Sequence, residues 1–271
     1  MFNCLVNAPF SRLQNASGEA TKLVPYGTWA FLPVTDGSLL PQRPSTQLLA
    51  GAVNGYYIMT GNNAQEGAPF VPQNISTDAD VQSWATTTFP GLNNQTWAAL
   101  QLAYPDPSQT SIYSTNQLRA DLMYAESTFV CPAYWLVQAF PTGNAWKYQF
   151  AVPPATHGLD TGYYFPAGGV PPAGKGPFAT AFTSAFANFI VNWNPTIPVN
   201  PADNPNTTLG TFDGVPWQPY QLNGAGNYQV NFNVTATNAT SITAIGDETG
   251  LSTGVEERCV VWRSLGSQIS E

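Results

Sequence analysis

The sequence is short of charge, of histidine and of long apolar runs, and each shortage excludes something. Only 9% of its 271 residues are charged, eight Lys and Arg against sixteen Asp and Glu, for a formal charge of −8. No basic cluster exists to neutralise phosphates, so neither nucleic acid nor an anionic membrane surface is an expected partner. No run of 18 apolar residues occurs, so no segment is expected to span a bilayer. Histidine occurs once, as His157, so chemistry that needs an imidazole has one place to go. The three cysteines, Cys4, Cys131 and Cys259, allow at most one pair within the chain.

What remains is apolar or polar without charge. With 43% hydrophobic and 13% aromatic residues, the chain can bury a sizeable core, and one or two domains fit its length. Ser, Thr, Asn, Gln, Gly and Pro must then cover the surface. N-x-S/T sequons stand at Asn15, Asn74, Asn94, Asn206, Asn233 and Asn238. With scarce lysine they favour a secreted glycoprotein. Met1-Phe-Asn-Cys-Leu-Val-Asn has neither the basic start nor the long apolar core of a signal peptide. The expected true start is therefore upstream.

Along the chain, residues 1–24 read as irregular. Trp29 to Gly37 reads as a short strand closed by a Thr-Asp-Gly turn, and a helical turn or two follows before Asn54-Gly55. A strand is expected at 56–60. Val81 to Phe89 and Thr96 to Tyr104 look helical, with Ser76 or Thr77 as N-cap of the first. The longest helix is expected from about Asn116 to Phe140, kinked or broken at Pro132. Asn144 to Val152 alternates as a strand does. Gly168 to Pro177 reads as a linker. Phe178, Phe182, Phe186, Phe189 and Ile190 share one helical face. A long polar loop, 195–214, leads to extended pieces at 217–220 and 227–234, and Val255 to Arg263 is a closing helix. Three strands separated by helices form an α/β pattern.

The chemistry concentrates in Tyr56-Tyr-Ile-Met-Thr-Gly-Asn-Asn-Ala-Gln-Glu66-Gly-Ala-Pro-Phe70, an apolar strand running into a Gly/Asn turn with a carboxylate just past its carboxyl end. In open α/β sheets reacting groups sit there. From spacing alone, Glu66 could equally be a solvated turn carboxylate and His157 a surface loop histidine. The stretch resembles the acid-bearing segment of type-B carboxylesterases, the cholinesterase and fungal-lipase branch of the α/β-hydrolases, whose pattern is an apolar strand followed by T/V-G-x-N-x-x-E-G. The run from Pro33 to Pro44 resembles that family's P-V-x-D-G-x-x-x-P-x-x-P, and Pro153-Pro-Ala-Thr-His157-Gly-Leu-Asp160 resembles its histidine segment. The resemblance covers nearly the whole chain. It implies Glu66 as the acid and His157 as the base of an ester hydrolase that works through an acyl-serine, with no metal and no cofactor. The family's chain order of Ser, then Asp/Glu, then His is respected by the last two members. Asp160 is read as a loop carboxylate in water rather than a group behind the pair.

The nucleophile is missing. No G-x-S-x-G occurs, and Ser17, Ser38 and Ser267 lack the flanking glycines. No Gly-Gly run for an oxyanion hole precedes a helix either. The expectation is one partial domain, residues 1–271: the C-terminal half of an α/β-hydrolase fold, with a mixed, mostly parallel sheet and flanking helices. The segment after Phe2-Asn-Cys4 also omits the two-cysteine loop expected of the family, so a fragment, a mis-joined reading frame or a shortened paralogue stay open. Alone, the chain is expected to be inactive and marginally stable, with an ester as substrate only if an N-terminal half is supplied by a complementary chain. A binding or adhesion role on the same fold is the alternative. The resemblance also pairs Cys131 with Cys259, a bridge worth on the order of 4–5 kcal/mol in the chain-entropy treatment, against two buried thiols. Cys4 is left over.

Overall fold

The sheet runs in the order β1-β2-β3-β4, with the first three strands parallel and the last antiparallel. The computed structural model describes residues 2–164, 176–197, 217–220, 228–234, 240–246 and 254–269. β1 is Ile58–Asn63, β2 Ala145–Phe150, β3 Tyr228–Val234 and β4 Thr240–Gly246. A mixed, mostly parallel sheet flanked by helices agrees with the α/β expectation. β1 starts two residues later than expected, because pairing with β2 begins at Ile58 opposite Ala145 while Tyr56 is left exposed before it. β4 was not foreseen.

Ten α-helices are described: α1 Phe2–Val6, α2 Phe10–Thr21, α3 Pro44–Leu49, α4 Asp78–Thr88, α5 Asn94–Ala103, α6 Asn116–Ala125, α7 Cys131–Ala139, α8 Thr161–Tyr164, α9 Gly176–Asn192 and α10 Val255–Ser264. Helices cover both faces of the sheet, as parallel strands require. On one face Trp146, Tyr148 and Phe150 of β2 pack against Phe178 and Phe182 of α9 and Phe232 of β3. Each fully buried aromatic of this kind stabilises the fold by about 1.5–3 kcal/mol. On the other face α4, α5, α6, α7 and α10 close over Trp84, Trp97, Leu100, Met123, Tyr134 and Trp262. Lys147 of β2 is buried between the strands. Its Nζ donates to Asn62 Oδ1 at 2.8 Å and Gln229 Oε1 at 2.9 Å, over the Tyr134 ring at 4.1 Å.

Several expectations need correction. The stretch 1–24, expected to be irregular, is mostly helical where it is described: it carries α1 and α2, neither of which buries a residue. Trp29 to Gly37 forms no strand, and Trp29, Phe31, Leu32 and Val34 are exposed. Pro33 supplies no N–H for a ladder there. Ile190 leaves the apolar face of α9 and is 73% exposed, whereas Phe178 and Phe182 are wholly buried. Most of 168–177 and 195–214 lies outside the described residues.

The long helix is interrupted as expected, though upstream of the proline. A π-helical turn, Glu126–Val130, separates α6 from α7, and Pro132 sits in the first turn of α7. There its missing N–H and its ring are tolerated. Cys131 is bonded to Cys259 of α10 across a sequence separation of 128. Beside that bond Glu126 is buried, accepting from Arg258 Nε at 2.8 Å, Arg258 Nη2 at 2.6 Å and the Tyr104 hydroxyl. Disulfide and ion pair together clamp α10 to the turn that faces the site.

Candidate active site

Two loops, each following a parallel strand, meet above the carboxyl end of the sheet. Backbone bonds stitch them together: Ala64 N–H donates to Phe150 O and Gln65 N–H to Ala155 O, both at 2.9 Å, and Gln65 pairs with Thr156 in a parallel bridge. Glu66 and His157 each follow that bridge by one residue, so they arrive side by side. Gly67 then lets the acid loop press on α6: a Cβ there would lie 1.8 Å from the Asp121 carbonyl oxygen.

Glu66 is buried, and its Oε2 lies 2.6 Å from His157 Nδ1. The other oxygen, Oε1, accepts from the Asn63 backbone N–H at 2.6 Å and from Asn63 Nδ2 at 3.3 Å. A carboxylate so held orients the imidazole and selects the tautomer with its proton on Nδ1. The ring is 43% exposed. Phe129 of the π-helical turn packs on it at 4.5 Å between centroids and Phe70 stands edge-on at 5.1 Å. A pocket of about 510 Å³ opens here, lined by Glu66, His157, Phe129, Asp160, Tyr148 and Tyr164 among others.

Asp160 corrects the sequence reading. It is buried, not in water, because the turn after His157 folds it back under the loop, where Asn63 Nδ2 donates to its Oδ1 at 3.1 Å. Tyr148 O–H makes a longer contact of 3.5 Å with Oδ2. Burial, and then the Asp160 charge, push Tyr148 well above the usual tyrosine range and Tyr164 up to about 12. Both phenols therefore stay protonated as donors at neutral pH. Asn63, Phe70, Phe129 and Tyr148 were not singled out. Asn63 was legible as the asparagine of T-G-x-N-x-x-E-G, but its role needs a partner 97 residues away.

The other singled-out residues lie elsewhere. Asn15, Asn74 and Asn94 are exposed, Asn233 is half-buried within β3, and Asn206 and Asn238 fall outside the described residues. Cys4 is exposed on α1. Among the described residues no helix is long and apolar enough to cross a membrane.

Comparison with known proteins decides the ancestry: a model of the carboxylesterase family matches residues 1–245. The chain belongs to the carboxylesterase family. It is 29% identical to carboxylesterase patB of Aspergillus clavatus over 211 residues, which are 76% of this chain and 37% of that protein. Over 141 residues it is 31% identical to the inactive carboxylesterase-like protein VdtD of Byssochlamys spectabilis, covering 48% of this chain and 24% of that protein. The crystal structure of Aspergillus niger EstA superposes with a TM-score of 0.68 at 20% identity, over 90% of this chain and 46% of that one. That likeness establishes the α/β-hydrolase fold. The chain spans less than half the length of these relatives.

Proposed function

We propose that this carboxylesterase-family chain carries the acid and base of an ester-hydrolysing relay, Glu66 and His157, and receives its serine nucleophile and oxyanion donors from polypeptide outside residues 1–271. The observation that carries this reading is the 2.6 Å contact between a buried carboxylate and a half-exposed imidazole that line an open pocket. In such a relay His157 takes the proton of the serine hydroxyl as it attacks the ester carbonyl. It then returns that proton to the departing alcohol, and water repeats the cycle on the acyl-serine. Glu66 fixes the ring and stabilises the imidazolium that forms. All the steps are acyl transfer between hydroxyl groups.

The absence of G-x-S-x-G from the sequence gives the second reading, a non-catalytic family member, and the likeness to a relative named inactive favours it. The disulfide, the sequons and the scarcity of lysine support an extracellular setting for either. The test is a chromogenic short-chain ester together with a serine-directed phosphonate. The purified chain alone is expected to give neither turnover nor label. Turnover that appears on adding a serine-bearing family segment, and vanishes with His157→Ala, supports the relay. Turnover or labelling by the lone chain would overturn the assignment.

A further inference from the structure

The Asn63 carboxamide donates from Nδ2 to two buried carboxylates, Glu66 Oε1 at 3.3 Å and Asp160 Oδ1 at 3.1 Å. Its own carbonyl oxygen is buried and makes no hydrogen bond among the described residues. An amide normally rotates so that both ends are satisfied. Here a half-turn would set Oδ1 against two carboxylate oxygens, acceptor against acceptor, so the carboxylates dictate the orientation and the orphaned oxygen is its consequence.

The connectivity closes a ring. Asn63 and Glu66 are three residues apart in the turn after β1, and His157 and Asp160 are three apart in the loop after β2. Glu66 to His157 forms one link between the loops and Asn63 to Asp160 the other. We propose that Asn63 and Asp160 are positioning residues for the Glu66–His157 relay. Asp160 holds the Asn63 amide with its donors toward Glu66, so that Oε1 is saturated by the amide and the Asn63 backbone N–H, and Oε2 alone is presented to His157. Asp160 acts as a hydrogen-bond acceptor for the amide; its charge is incidental to that task. This inference rests on the reading of Glu66 and His157 as a catalytic pair.

His157 is the sole histidine, so imidazole nitrogen NMR on the labelled full chain reports one residue without assignment work. At a pH where the ring is neutral, the parent is expected to show a single tautomer with the proton on Nδ1. Asp160→Ala and Asn63→Ala are expected to lose that signature and show both tautomers, with far-ultraviolet circular dichroism unchanged. Asp160→Asn, whose amide oxygen still accepts from Asn63, is expected to keep it. An unchanged tautomer in Asp160→Ala, or an Asp160→Asn that behaves like Asp160→Ala, would overturn the inference and leave the relay standing. A parent already lacking the Nδ1 proton would overturn the relay reading itself. If the alanine variants do not fold, the parent decides: both Asn63 side-chain amide protons protected from solvent exchange supports the ring, and one exchanging freely refutes it.

Discussion

Arg258→Met tests how the helix that backs the site is held. Glu126 is 1% exposed and draws two of its hydrogen bonds from Arg258. Removing the guanidinium leaves a carboxylate in the interior with the Tyr104 hydroxyl as its remaining partner among those bonds. Breaking a buried pair from one side costs about 3–5 kcal/mol, which corresponds to a fall of roughly 10 °C in Tm for a chain of this size. Replacing both partners, as Glu126→Leu with Arg258→Met, removes the stranded charge and is expected to lie within about 1–2 kcal/mol of the parent, so the cycle should show a large coupling. The pH dependence has a definite sign. Burial pushes the Glu126 carboxyl up, with Arg258 and Tyr104 pulling against it. A raised folded value means stability that is present below the ordinary glutamate range and lost as pH rises through the raised one. Without Arg258 the value rises further, so the defect grows as pH rises and shrinks on acidification. Thermal and urea denaturation at about pH 8 and about pH 5 would measure it. A gap independent of pH, or under about 1 kcal/mol, would mean that Glu126 is not a buried charge and would refute the reasoning.

Three further outcomes follow from the structure. Replacing Cys131 and Cys259 by serine opens a loop with a sequence separation of 128 and is expected to cost about 5 kcal/mol in the chain-entropy treatment, seen as a lower denaturation midpoint. Gly67→Ala would set a methyl 1.8 Å from the Asp121 carbonyl oxygen; the acid loop must move off α6, at about 1–3 kcal/mol, and the His157 ring resonances should move with it. Asp80, which closes the capping box of α4 by accepting from the backbone N–H groups of Ser76 and Thr77 and from the Ser76 hydroxyl, is held down at about 2. Its carboxyl should therefore stay ionised in the folded chain as pH falls through the ordinary aspartate range and titrate near 2, as carbon NMR would show, while its contribution to α4 declines progressively from that range down to about 2.

How much of this was legible in the sequence varied with how local the signal is. Glu66 and His157 could be named because a short motif carries each and because both stand just past a strand that apolar alternation reveals. The helix α9 was legible for the same reason, its phenylalanines recurring at helical spacing. The misses have physical causes. α1 and α2 bury nothing, so no apolar stripe marks them. β4 is recruited by pairing along the whole of β3, and Thr240-Ser-Ile-Thr-Ala-Ile-Gly246 has too little apolar character to announce a strand alone. The burial of Asp160 and of Glu126 is tertiary: each depends on a partner about a hundred residues distant. The Trp29 to Gly37 reading failed the other way, since good strand residues form no strand without a neighbour to pair with.

Whether Glu66 holds the imidazole of His157 in the form a hydroxyl nucleophile needs is tested most directly by the proton resonance on Nδ1 of the neutral ring in the unsubstituted chain. A single, strongly downfield proton bound to Nδ1, slow to exchange and abolished by Glu66→Ala, is the expected result. A ring protonated on Nε2, or one that passes between tautomers as free imidazole does, would contradict it.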